Sequence, residues 1–390
     1  MKELLDRLEF RDSGNRDLIL FAMFLALSLC GLLILYPASS IVAYRDTGDA
    51  DYYVKKQAIW FAAGFFAMIV FSVIPLELLR KLALPGIVFS FLLLVLVFLP
   101  GIGHSVSSRR ESFHRWIGFA GFTFQPSEFA KIAIVSFAAS VFARPERKEG
   151  ELDIRRLVLP VLLILMNLVA IILEPQYGTT VCILLVLVFF VYISGFPVVR
   201  LFLIFLATLP LLYLLIILWE YRLDRFRVWL NPYEFRHEGG YQLVTSFRAF
   251  MEGSFAGENL ASGYAHSYLT YGHTDFIFAL FAEDFGWLGT TAFFLFFMAV
   301  LWKTYSLLSN VTDTFAFLLG SGCLLMLGLQ TILNLCVVSG LLPTTGVSLP
   351  FLSYGGSSLI VSMSFAGILV NVSSRSRRAG MEGLKWKSAF

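Results

Sequence analysis

The chain has 390 residues, 58% of them hydrophobic and 15% charged, with a net charge of +3 and a mean hydropathy of +0.77. A soluble domain carries roughly a quarter charged residues, and a water-facing surface for a 43.8 kDa protein cannot be assembled from so few. The balance excludes an ordinary soluble enzyme, a disordered chain and a disulfide scaffold, and the small net charge gives no footing for nucleic acid.

A helix needs about 20 apolar residues to cross the hydrocarbon layer. The polar segment 1–17, with Lys2, Arg7, Arg11 and Arg16, leads into the apolar run Leu18–Tyr36. That run is long enough to span, and no small-residue cleavage site follows it. Further runs predict spans near 57–74, 84–100, 127–143, 157–173, 179–194, 201–219, 277–302, 315–338 and 354–372, ten in all. The expected fold is an all-α integral membrane domain over 18–372, followed by a tail at 373–390. The fifth and sixth spans are joined only by Glu174-Pro175-Gln176-Tyr177-Gly178, a tight hairpin, whereas 101–126 and 220–276 are too long to be mere connectors. Cys30, Cys182, Cys323 and Cys336 all fall in apolar runs and read as small buried hydrophobes.

Ten spans put both termini on one side. With the termini inside, the inner segments hold 18 of the 30 Lys and Arg in about 75 residues, and the outer segments 11 in about 123. Lys131 lies within a span. The positive-inside rule therefore predicts cytoplasmic termini, with Arg375, Arg377, Arg378, Lys385 and Lys387 of the tail set against anionic lipid.

Ionisable groups at membrane depth are costly and mark candidate chemistry. Four places carry them. In Gln125-Pro126-Ser127-Glu128-Phe129-Ala130-Lys131, Glu128 and Lys131 share a helical face. Ser127 can cap the new helix, and Glu128 suits its first turn. Lys131, one turn deeper, costs about 2.5–3.5 kcal/mol on insertion scales, so it marks either a cavity or a packed ion pair. In His273-Thr274-Asp275, Thr274 or Asp275 can be a plain N-cap. Equally, an acid at the lip of an apolar span is where desolvation raises a pKa towards general-base range. Glu283 and Asp284 follow two turns later. In 341–358, prolines precede Ser353-Tyr354-Gly355-Gly356-Ser357-Ser358, where amides opening a helix suit a phosphate and a re-entrant turn with hydroxyl caps is the structural alternative. The outer cluster Arg109, Arg110, His114, Arg115 and Trp116 suits either the headgroup region or a lipid-linked phosphate. No nucleotide loop, zinc spacing or Ser/His/Asp arrangement is visible. These parts fit an anionic amphiphile taken from the outer leaflet, and do not separate moving such a lipid from reacting it.

At these residues the chain resembles the SEDS family, the FtsW/RodA/SpoVE proteins of bacteria. The resemblance runs through YPASS, KKQAIW, HRWIGFAGFTFQPSEFAKIA, EPQYGTT, RLDRFRVWLNPYEF, GGYQLVTSFRAF, HTDFIFALFAEDFGWLG and LLPTTGVSLPFLSYGGSSL. The segment GYQLVTS looks closer to the division-type, FtsW-like branch. The resemblance implies a peptidoglycan glycosyltransferase that polymerises lipid II into β-1,4 glycan strands outside the bacterial cytoplasmic membrane, in division or elongation. It also implies a class B penicillin-binding protein (a transpeptidase) as partner. No cofactor is firmly implied; the family's chemistry is assisted by, or tolerant of, a divalent cation such as Mg or Mn. Carried over by position, Asp275 falls on the essential acid, Glu128 and Lys131 on the cavity residues and Arg115 on the loop Arg. Asp275 is then the expected general base. Arg109, Arg110, Gln125, Ser127, His273, Thr274, Ser353, Gly355, Gly356 and Ser357 are expected around the substrate. Gln176, His114, Gly272 and Ser348 depart from the family pattern and put the hairpin and outer-loop details in doubt. A lipid II flippase and a non-catalytic scaffold for the transpeptidase are the competing readings.

Overall fold

A computed structural model describes the chain except residues 1–16, 100–102, 105–114, 120–121, 144–153, 201–202, 204–205, 207–219, 238, 259, 270 and 388–390. It is helical nearly throughout. The long apolar runs become α1 (Leu18–Thr47), α2 (Tyr52–Val73), α3 (Leu76–Leu96), α4 (Pro126–Phe142), α5 (Ile154–Leu173) and α6 (Tyr177–Ile193). The polar outer segment supplies α7 (Glu220–Leu230), α8 (Tyr241–Gly253) and α9 (Tyr264–Tyr268). The remaining long helices are α10 (Ile277–Leu308), α11 (Thr314–Val338) and α12 (Gly356–Lys387). Six of these are long and apolar enough to cross a membrane, and α5 and α6 add shorter apolar helices, so the protein is a multi-pass membrane protein. The expected span at 201–219 lies almost wholly outside the described residues.

Helix ends follow from capping chemistry. Asp17 accepts from the Leu20 amide at 2.9 Å to start α1, and Gly48, left-handed at φ +76°, ends it. Asp313 caps α11 in the same way through the Ala316 amide. Both caps carry a cation: Lys303 lies 3.3 Å from Asp17, and Arg375 lies 3.0 Å from Asp313.

Of the six long apolar helices, α11 and α12 are the most buried, with α12 laid along α2 and α11 between α4, α6, α10 and α12. Small residues permit the close approaches. A Cβ on Gly31 of α1 would lie 2.0 Å from the Phe351 carbonyl oxygen, so the segment before α12 is seated directly against α1. One feature was not expected. Residues 103–124 hold a small antiparallel sheet, β1 (Gly103–His104), β2 (Trp116–Phe119) and β3 (Phe122–Phe124), in the order β1-β2-β3. Aromatic and β-branched residues at 116–124 favour strands once a neighbour satisfies their backbone groups.

Candidate active site

The ends of α1, α3, α5 and α11 and the starts of α2, α4, α6, α10 and α12 all fall at one end of the bundle, and the functional candidates gather there. Asp275 stands just before α10 and does not cap it. The cap position is Phe276, no side chain bonds the first turn, and the Thr274 hydroxyl donates instead to the Tyr271 carbonyl at 2.8 Å. The main chain at Asp275 is held from α11, where Asn334 Nδ2 donates to the carbonyls of Asp275 and Val347, each at 2.8 Å. A Cβ on Gly346 would stand 3.5 Å from Asp275 Oδ2, and Gly346 itself is left-handed at φ +70°. Glycine therefore serves the turn that lies beside the acid. Arg225 of α7 donates to the Thr344 carbonyl, and Trp229 Nε1 donates to the Gly340 carbonyl at 2.8 Å. Burial pushes the Asp275 carboxyl above its usual range, while the Arg225 and Arg115 guanidiniums draw it back.

The second group opens α4. Pro126 occupies the first helical position and Gln125 the cap, so Ser127 lies inside the first turn; the expectation that Ser127 caps this helix is corrected. Proline's fixed φ starts the helix two residues earlier than a cap at Ser127 would. Glu128 and Lys131 pair at 2.7 Å and are 5% and 0% exposed. Glu174, in the hairpin between α5 and α6, is 0% exposed. Burial raises its carboxyl to about 8, against the pull of the Ser127 hydroxyl and the Arg115 guanidinium. Beyond these contacts, Ser127 Oγ, Glu128 Oε2, Lys131 Nζ and both Glu174 oxygens have no hydrogen-bond partner among the described residues. Buried polar groups are normally satisfied, so this cluster, a closed polar chamber, holds hydrogen-bonding capacity that no described residue uses. Arg115 acts on both Asp275 and Glu174 and so joins the chamber to the acid.

The remaining candidates serve the surrounding structure. His273 is buried between the rings of Tyr53 and Tyr354, at 4.5 and 5.5 Å, and burial lowers its imidazole to about 4. Ser353 Oγ accepts from the Leu349 amide at 2.8 Å, and Ser357 Oγ accepts from the Gln125 amide at 3.0 Å. The Gly355 amide donates to Gln57 Oε1 at 3.2 Å, and Gly356 lies against the Trp60 ring. The expectation of open amides at Gly355-Gly356-Ser357 is thus corrected at Gly355: Gln57 occupies it from α2. Arg109, Arg110 and His114 lie outside the described residues.

Glu283 and Asp284 have a separate task. His266 of α9 places Nε2 2.9 Å from Asp284 Oδ1 and Nδ1 3.0 Å from the Pro37 carbonyl of α1. Glu283 Oε1 accepts from the Ala265 amide at 2.9 Å, and Asp284 Oδ1 also accepts from the Ala261 amide at 3.1 Å. These bonds clasp the outer segment to α1 and α10. Three residues of the site were not expected. Arg225 is hidden among the other cations of a polar stretch, and Glu174 reads as part of a turn. Asn334, an amide inside an apolar helix, carried a signal that could have marked it.

Among the described residues, no three His, Cys, Asp or Glu side chains converge as a metal site. Glu128 is engaged by Lys131, and no step is assigned to a cation.

Fold and site together define a multi-pass membrane protein with a charged chamber and one poised carboxyl at a single end of its helices. Residues 17–378 match the sequence profile of the FtsW/RodA/SpoVE family, described as cell cycle protein. A probable peptidoglycan glycosyltransferase FtsW of Geobacter sp. (strain M18) is 33% identical over 365 residues, 93% of this chain and 98% of that protein. Stage V sporulation protein E of Bacillus subtilis (strain 168) is 32% identical over 93% of this chain and 98% of its own length. Among solved structures, a chain from a peptidoglycan synthase complex that coordinates polymerization and crosslinking aligns with TM-score 0.73 and 26% identity, covering 92% of this chain and 97% of that one. RodA of Thermus thermophilus shares the fold, with TM-score 0.65 at 24% identity over 92% of this chain and 96% of its own. The chain belongs to the FtsW/RodA/SpoVE family.

Proposed function

We propose that this protein is a peptidoglycan glycosyltransferase that polymerises lipid II at the outer face of the bacterial cytoplasmic membrane, with both termini cytoplasmic. The observation that carries the reading is Asp275: a half-buried residue with no capping task, its carboxyl raised by burial and drawn back by Arg225 and Arg115. Names of relatives at 33% identity over 93% of the chain support the same reaction class.

In the mechanism, Asp275 takes the proton of the acceptor GlcNAc 4-hydroxyl as that oxygen attacks C1 of the lipid-linked strand. The C1–O bond to the diphosphate breaks, its electrons leave on the lipid diphosphate, and the anomeric centre inverts from α to β. One base suffices if cations hold the leaving group. Arg115 and Arg225 are nearest to Asp275 in effect, and Lys131 adds its charge from beside Glu128. A class B penicillin-binding protein is the proposed partner, on the strength of the similar synthase complex.

General-base catalysis contributes about 10²–10⁴-fold. Purified protein with its partner, supplied with lipid II, is expected to make glycan strands whose formation resists penicillin. Asp275→Ala is expected to lose nearly all polymerisation while its melting temperature is kept. Retention of more than about a tenth of the activity would overturn the role of Asp275. Lipid II movement without polymer would favour a flippase, and Asp275→Ala with full function in cells would favour a scaffold.

A further inference from the structure

The proposed reaction makes no use of Glu174, yet this acid is the most deeply enclosed carboxyl of the site. It sits at 0% exposure in the hairpin between α5 and α6, with neither oxygen bonded to any backbone amide. The groups facing it are Arg115 from the segment before β2 and Ser127 from α4. Glu128 and Lys131 follow Ser127 along α4 and are already paired with each other. After Glu174 in the chain, Gln176 caps α6 and is bonded by Thr179, neither of which titrates, and Cys182 of α6 is a buried thiol.

The charge count of the chamber turns on this one residue. With Glu174 ionised, two carboxylates (Glu128, Glu174) balance two cations (Lys131, Arg115). A neutral chamber has no net attraction for a diphosphate. With a proton on Glu174 the same groups carry a net charge of +1, and the Arg115 charge is no longer answered from the hairpin side. A buried carboxylate with no amide donors is also the state that burial disfavours most.

We infer that Glu174 is a positioning residue that works as a neutral acid, directing the Arg115 charge onto the diphosphate of a bound lipid substrate. Binding of the anion and retention of the Glu174 proton are then linked, and each favours the other. The inference rests on the glycosyltransferase reading for the identity of the lipid, but not for its test.

The test uses the full-length protein in nanodiscs and undecaprenyl diphosphate as probe, with affinity measured at pH 7 and pH 9. An acid titrating near 8 falls from mostly protonated to mostly ionised across this interval, so wild-type affinity is expected to drop about tenfold. Glu174→Gln, isosteric and permanently neutral, is expected to bind equally at both values. Parallel profiles in wild type and Glu174→Gln would overturn the inference, as would a wild-type affinity that does not change. A purely structural Glu174 predicts a lower melting temperature for the variant and no change of pH profile. Should Glu174→Gln fail to fold, infrared difference spectra of the Asp275→Asn protein supply the second readout. Adding the diphosphate at pH 7 is expected to perturb the carbonyl stretch of a protonated carboxyl, and absence of that band would overturn the inference. Binding needs no polymerisation, so a chain that binds with this profile and makes no glycan counts against the glycosyltransferase alone.

Discussion

Glu128 and Lys131 show how a residue pair can be costly and still be kept. Neither charge reaches solvent, and each is tolerable only beside the other. Removing one partner of a buried pair typically costs about 3–5 kcal/mol, because the other is left uncompensated. Glu128→Gln is therefore expected to lower the melting temperature sharply. Glu128→Leu combined with Lys131→Met should restore the fold while polymerisation stays lost; recovered polymerisation in the double variant would make the pair merely structural. His273 carries a pH consequence of definite sign. Its folded value near 4 lies below the ordinary 6.5, so the unfolded chain takes up a proton first as pH falls. Stability is expected to drop by about 2 kcal/mol between pH 7 and pH 5 on this account, and His273→Gln should remove that share of the pH dependence in unfolding scans. The charged pair on α4 was legible in the sequence because Lys131 sits where lysine is expensive. Glu174 was not, because in Glu174-Pro175-Gln176-Tyr177-Gly178 the turn residues alone explain a hairpin, and depth is set by the folding of distant elements around it.

At the level of elements, α10 is bent where it meets the outer segment. Gly286 adopts φ +60° and ψ −163°, a region open essentially to glycine alone. A Cβ there would come within 2.3 Å of the Gly257 amide nitrogen, and one on Gly253 within 2.0 Å of the Ala282 carbonyl oxygen. The bend and the His266–Asp284 clasp thus seat the stretch 253–266 on α10. Gly286→Ala is expected to cost at least about 1–3 kcal/mol in strain and to expose residues 254–262 to protease. Unchanged cleavage kinetics would mean that the bend does not seat the segment. The positions of α4 and α11 were legible from hydropathy to within one residue: the expected 127–143 and 315–338 became Pro126–Phe142 and Thr314–Val338. The extension of α1 from the expected 36 to Thr47 was not, because Pro37 reads as a helix breaker. In the structure Pro37 lies buried inside α1, and its carbonyl is bound by His266. The strands at 103–124 were also missed, since a short sheet depends on partners that no local pattern names.

Across the whole molecule, every residue of the proposed chemistry lies at the same end of the bundle, so its side of the membrane can be tested directly. Tyr271 is 51% exposed four residues before Asp275. In a background with Cys30, Cys182, Cys323 and Cys336 replaced by serine, Tyr271→Cys is expected to react with an impermeant thiol reagent added outside intact cells. Labelling only after lysis would reverse the proposed orientation. The close seat of the Phe351 carbonyl on Gly31 bears on how the protein is made. Asp275 is synthesised well before Asn334, Thr344 and Gly346, and the segment that carries the last two is anchored to a helix made long before it. A ribosome that has produced the acid has not yet produced its surroundings. The nascent chain in the membrane therefore acquires its chemistry only after the segment from Asn334 to Phe351 has emerged and docked, so a product stalled before that segment is inert towards the lipid pool around it.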